Sequence, residues 1–114
     1  MLTQLQSRVL RELRSTVDKG RDGTTVSVTG DVPTTGYAVG GAVPELVITG
    51  NDTSALSEWV AENSGAHYGA WKNGDAYHFD VTEIYDSLDS AMLVARFRGE
   101  LAIFDIANGT EIPV

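Results

Sequence analysis

The stretch HYGAWKNGDAYHFDV, residues 67–81, decides the fold of this 114-residue chain. Its centre holds Asn73-Gly74, the dipeptide preferred in two-residue type I′ hairpin loops. On either side, apolar and polar residues alternate as they do in a strand with one buried face. We therefore predict an antiparallel hairpin with strands over 67–72 and 75–81.

The two histidines of the chain lie in this hairpin. With Asn73-Gly74 as the loop, His67 faces Asp80 and Gly69 faces His78. Two histidines and a carboxylate on one face, with a glycine leaving room, form a candidate zinc or iron site of His67, His78 and Asp80. The alternative is a solvent-facing polar surface with a cross-strand His67–Asp80 pair, since a register shift would separate the three groups. We favour that alternative and predict neither a resident metal nor a cofactor.

Three helices and five further strands surround the hairpin. Apolar residues at spacings of three and four predict helices over 2–19, 54–64 and 88–98. Branched and aromatic residues predict strands near 24–29, 36–40, 45–49, 101–106 and 111–114. The order α-β-β-β-α-β-β-α-β-β, with its tight turns, predicts one α+β domain over 1–114, in which three helices pack on a mostly antiparallel sheet. The N-terminal helix, within 1–20, packs on this domain.

The same patterns predict helix caps and a core. Asn51-Asp52-Thr53 supplies N-cap candidates for the second helix, and Asp86-Ser87 supplies them for the third. Asn108-Gly109 indicates a second hairpin loop. The predicted core comprises Leu5, Val9, Leu13, Val26, Val28, Val47, Trp59, Val60, Phe79, Val81, Met92, Leu101 and Ile103.

Composition excludes several chemistries. The chain has no cysteine, which excludes disulfides, cysteine zinc sites and thiol catalysis. The glycine-rich stretch 36–41 lacks the spacing of a phosphate-binding loop and leads into a strand, so we interpret it as a turn. No G-x-S-x-G motif is present. No apolar run approaches the ~18 residues of a membrane span, and the N-terminus lacks the apolar core of a secretory signal. We predict no catalytic residue.

Charge is distributed unevenly along the chain. The net charge is −8; residues 1–22 carry a balance of +2 and residues 23–114 a balance of −10. The strong negative charge of residues 23–114 repels nucleic-acid phosphates, which argues against direct DNA or RNA binding except through the N-terminal helix. One interpretation is solubility. The other is a recognition surface for a basic partner, made of clustered carboxylates with aromatic anchors: Asp75, Asp80, Glu83, Asp86, Asp89, Trp71, Tyr77 and Tyr85.

Several short segments carry a resemblance to a known group of proteins. They are TGYAVGG at 35–41, YGAW at 68–71, YHFDV at 77–81, DSA at 89–91 and LAIFDI at 101–106. Over about residues 34–112 the chain resembles small uncharacterised accessory proteins encoded by phages and mobile elements of actinobacteria. It departs from their pattern at Glu100, where glutamine is expected. The resemblance implies a host-takeover or anti-defence factor in the cytoplasm of a bacterial host, and it implies no reaction.

Three functions remain open at this point. The first is a non-enzymatic interaction protein, monomeric or homodimeric, that binds and modulates a host protein with a basic surface, by mimicry of nucleic-acid charge. The second is a small-molecule or nucleotide-binding module. The third is a metal-dependent enzyme that uses the 67–80 hairpin.

Overall fold

The structure is a computed structural model that describes residues 2–29 and 33–114. Within them the elements are α1 (Gln4–Asp18), β1 (Gly23–Ser27), β2 (Tyr37–Val39), β3 (Leu46–Thr49), α2 (Leu56–Glu62), β4 (His67–Asn73), β5 (Ala76–Tyr85), α3 (Leu88–Arg98), β6 (Ala102–Asp105) and β7 (Thr110–Pro113). Three helices and a seven-stranded antiparallel sheet follow in the predicted order, so the α+β prediction is confirmed.

The ten-residue strand β5 organises the sheet. β4 pairs with most of one edge of β5, and β1 pairs with the far side of β4. The other edge of β5 is shared, because β3 pairs with residues 76–79 and β2 with residues 83–85. β6 and β7 continue outward from β2. A single long strand therefore joins two halves of the sheet.

The helices cover one face of this sheet. Tyr77, Phe79 and Val81 of β5 are buried in a core cluster with apolar residues of α1 and α2. Farther along β5, Tyr85 packs against a second cluster, in which Ala91 and Ala95 of α3 meet the sheet. These β5 residues alternate with His78, Asp80, Thr82 and Ile84, so the latter point to the opposite face. We call that opposite face, which no described helix covers, the open face.

The register of the central hairpin corrects the prediction. Asn73 pairs with Ala76, so the loop is Gly74-Asp75 rather than Asn73-Gly74. Gly74 has φ +63, while no described non-glycine residue has positive φ. A glycine at the first loop position is typical of a type II′ turn, which also matches the strand twist. The loop moves by one residue, so the cross-strand partner of each residue moves by two. Every side chain therefore keeps its predicted face, but it lies opposite a different residue.

Three predicted core residues are exposed. Leu5 lies at the margin of the α1 stripe, where Leu10 is buried instead, and Val47 points to the open face opposite His78. Leu101 precedes β6 and is 89% exposed. Val28 and Met92 are partly buried against the clusters, and the other predicted core residues are buried.

Two of the predicted helix and turn signals also differ from the structure. α2 begins after Ala55 without a side-chain cap, because Asp52 accepts a hydrogen bond from Ser54 N instead. Asn108-Gly109 belongs to a longer loop, since Asp105 pairs with Thr110. The predicted cap of α3 is confirmed, since the Ser87 hydroxyl accepts from Ser90 N.

Candidate functional site: an acidic groove on the open face

One row of the open face is aromatic and apolar. Val47, His78 and Trp71 lie side by side on β3, β5 and β4. The Trp71 and His78 rings stack with their centroids 4.2 Å apart, and Trp71 remains 41% exposed. Such a stack leaves the outer ring face of an aromatic pair available for a planar or cationic group.

The next row is acidic and centres on Asp80. Its carboxylate accepts a hydrogen bond of 2.5 Å from the Thr82 hydroxyl. Burial raises the pKa of Asp80 above its ordinary value, and the negative charge of Glu45 adds to that rise, while Thr82 and His78 act against it. Asp80 is thus a carboxyl group held in a position with little water.

Glycines on both sides make room for this carboxylate. Asp80 pairs with Gly69 across the sheet, and a Cβ on Gly69 would lie 2.8 Å from Asp80 Oδ1 and 2.7 Å from Thr82 Oγ1. A Cβ on Gly40 would lie 3.0 Å from Asp80 Oδ2. A side chain at Gly69 would require Asp80 or Thr82 to move, and one at Gly40 would contact Asp80 tightly, so close approach of the carboxylate accounts for both glycines.

Glu100 completes the groove from the segment after α3. Its Oε1 atom would lie 3.1 Å from a Cβ on Gly40, so it shares the Gly40 surface with Asp80. Burial raises the pKa of Glu100, and repulsion from Asp80 and Glu45 raises it further, while Arg98 lowers it. We use the term acidic groove for Glu45, Asp80 and Glu100 with the neighbouring Trp71 and His78.

The basic side chains near the acidic groove already have partners. Arg98 hydrogen-bonds to the Gly40 carbonyl at 3.1 Å and forms an ion pair with Glu83. His78 Nδ1 lies 3.2 Å from Glu45 Oε1. Asp80 and Glu100 repel each other, and among the described contacts neither of them forms a direct ion pair. Chemically, the groove can accept hydrogen bonds from a cationic group and balance its charge.

The predicted acidic surface does not form one patch. Asp75 lies in the hairpin loop at one end of β5, whereas Asp86 follows the other end, and a ten-residue strand of roughly 33 Å separates them. Asp89 belongs to the first turn of α3, and Asp86 and Asp89 are both exposed. Of the eight predicted residues, Asp80 and Trp71 contribute to the acidic groove.

Three other predicted binding residues have structural contacts. Tyr77 is 4% exposed and donates a hydrogen bond to the Arg21 carbonyl, so the prediction that it anchors a partner at the surface is wrong. Tyr85 packs beside the second core cluster, with its hydroxyl 3.4 Å from Glu83 Oε1. Glu83 is the ion-pair partner of Arg98.

The candidate metal site of His67, His78 and Asp80 does not assemble. The observed register pairs His67 with Thr82 and His78 with Trp71. Among the described residues no group of three or more histidine and carboxylate side chains is arranged to hold a metal ion. The metal site fails to assemble because the cross-strand partners differ by two residues from the predicted ones, although the side chains keep their predicted faces.

Sequence reasoning missed Glu45 and Glu100. They reach Asp80 because β3 and the segment before β6 are brought beside β5 by long-range pairing. The available signal was Gly40-Gly41, because paired glycines at a strand end also mark a close approach of other groups.

Comparison with known proteins found no matching family model, no matching curated protein and no matching solved structure. In the described part of the chain, none of the helices has the length and apolar character needed to cross a bilayer.

Proposed function

We propose that this chain is a small non-enzymatic interaction protein that binds a basic segment of a partner protein in its acidic groove. The observation that carries the proposal is the arrangement of Asp80 and Glu100. Both carboxylates are partly withdrawn from water and share the Gly40 surface, and both have a raised pKa. A lysine or arginine side chain from a partner would form the direct ion pair that neither carboxylate has.

The row beside the acids supports binding of a side chain rather than a free ion. Trp71 and Val47 are 41% and 48% exposed and adjoin His78 on the open face. Aromatic and apolar surface next to a charged group provides the desolvated anchor that protein interfaces usually contain. An arginine is suited to both rows, because its guanidinium stacks on aromatic rings and pairs with carboxylates.

The partner in this proposal is a host protein. Its basis is the resemblance to phage and mobile-element proteins together with the balance of −10 over residues 23–114. That charge attracts proteins that themselves bind nucleic acid, and it speeds their encounter. Binding and modulation of such a host protein is the function we propose.

A labelled arginine- and lysine-rich peptide tests the proposal by fluorescence anisotropy. We expect the triple variant Glu45→Gln/Asp80→Asn/Glu100→Gln to bind at least about tenfold more weakly than the unmodified chain. The matched control is Glu12→Gln/Glu58→Gln/Glu62→Gln, which removes the same charge from exposed helical positions. It should retain most of the affinity.

Equal losses in the two triple variants would contradict the proposal, because binding would then follow overall charge. A third variant, Asp86→Lys/Asp89→Lys, locates the surface. If it abolishes binding while the groove variant does not, the interface lies at the start of α3 instead. Rising salt should weaken binding mainly by slowing association.

A further inference from the structure

α3 presents its largest apolar side chains to solvent. Leu93 is 70% exposed and Phe97 is 92% exposed, whereas the small residues Ala91 and Ala95 are fully buried against the sheet. At 100° per residue, Leu93 lies about 160° around the helix from both alanines. Because α3 packs on the sheet through Ala91 and Ala95, the side chains of Leu93 and Phe97 point away from the sheet.

Two charged residues of opposite sign lie along one side of this apolar stripe. Asp89 lies one turn before Leu93, and Arg96 lies almost one turn after it. Both are exposed, and both fall within about 60° of Leu93 on the same side of the stripe. Along the helix axis, Asp89 is about 6 Å before Leu93 and Arg96 about 4.5 Å after it.

This arrangement is self-complementary. A two-fold axis through Leu93 reverses the helix direction but keeps each side of the stripe facing the same side of its copy. It brings Asp89 of one chain within about 1.5 Å, along the axis, of the level of Arg96 in the second chain. The pair occurs twice, and Leu93 meets its own copy between the two pairs. Phe97 lies about 6 Å from Leu93 along the helix axis and on the other side of the stripe from the charges.

We propose that α3 pairs antiparallel with α3 of a second copy of this chain. The charge pattern favours a second copy over a uniformly basic partner, because Arg96 would repel the latter. The pairing surface contains no residue of the acidic groove, although Glu100 of the groove follows α3 after two residues. The proposed dimer therefore stands independently of the proposed function.

Sedimentation equilibrium of the full chain over a wide concentration range tests the pairing. We expect a monomer–dimer equilibrium whose dissociation constant rises at least about tenfold in Leu93→Asp and in Arg96→Asp. The double exchange Asp89→Arg/Arg96→Asp should restore dimerisation, because it reinstates both opposite-charge pairs. Leu5→Asp, an exposed apolar position on α1, is the control and should dimerise normally.

The melting temperature of each variant is measured alongside, because Asp89→Arg also removes a favourable charge from the first turn of α3. A chain that stays monomeric at every concentration would overturn the proposal, even if α3 then bound lipid vesicles. So would a dimer that tolerates Leu93→Asp, or a double exchange that dimerises no better than Arg96→Asp alone.

Discussion

Replacing Thr82 by valine tests whether Asp80 is held as a charge in the folded protein. Thr82 is 5% exposed, and its hydroxyl donates a 2.5 Å hydrogen bond to Asp80 Oδ1. A hydrogen bond to a charged group is worth about 1.5–3 kcal/mol, and one between neutral groups about 0.5–1.5 kcal/mol. Thr82→Val should therefore lower the free energy of unfolding by about 1.5–3 kcal/mol at neutral pH. In an Asp80→Asn background it should lower it by only about 0.5–1.5 kcal/mol.

The effect of pH has a defined sign. The pKa of Asp80 is raised in the folded protein, chiefly by burial, so the folded state binds this proton at a higher pH than the unfolded state does. The contribution of Asp80 to the free energy of unfolding therefore decreases as the pH rises through the folded pKa. Below that pKa the carboxyl is neutral, and the Thr82→Val effect should shrink toward its value in Asp80→Asn.

Urea unfolding followed by circular dichroism measures these differences, at neutral pH and at a pH below the folded pKa of Asp80. Valine keeps the branched shape of threonine, so the comparison isolates the hydroxyl. An equal effect of Thr82→Val in both backgrounds and at both pH values would refute the reasoning. It would mean that Asp80 is neutral in the folded state, or that the hydrogen bond does not form.

Three further predictions concern the core and the hairpin. Phe79→Ala should lower the free energy of unfolding by about 3–5 kcal/mol, because Phe79 is fully buried, whereas Phe97→Ala should change it by less than about 0.5 kcal/mol in urea unfolding of the dilute monomer. Tyr68→Phe should lower it by about 0.5–1.5 kcal/mol in the same assay, because its hydroxyl donates to the Asn63 carbonyl after α2. Added zinc should leave the melting temperature unchanged in a thermal-shift measurement, because His67 and His78 have different cross-strand partners.

The fold was predictable because its signals are local. α3 is an example: the Ser87 cap and Gly99, with φ +72 at its end, lie within a few residues of the helix that they delimit. The alternation around residues 67–81 placed Phe79 and Val81 in the core although the loop was assigned one residue away, which moves each cross-strand partner by two residues. A shift by an even number preserves the faces of a strand, so this part of the prediction tolerated the error.

The acidic groove was not predictable by the same means. Glu45 and Glu100 are far from Asp80 in sequence, and nothing local states that β2 and β3 share one edge of β5. The clustering of carboxylates in the sequence did not predict a cluster in space, because β5 and α3 carry successive positions away from each other. The packed side of α3 is different, because the local spacing of Ala91 and Ala95 already indicates it, and Met92 and Val94 are partly buried beside them.

The acidic groove predicts opposite effects on stability and binding. In the free protein, Asp80 and Glu100 are like charges near one glycine surface, and their raised pKa values mean that the charged forms are unfavourable there. Asp80→Asn and Glu100→Gln keep the shapes but remove that repulsion, so each should raise the melting temperature at neutral pH. When a cationic side chain is bound, the charged forms of Asp80 and Glu100 become favourable, because each then interacts with an opposite charge. The same substitutions should therefore weaken binding of the basic peptide, and variants that lower both quantities together would place the role of these carboxylates in folding alone.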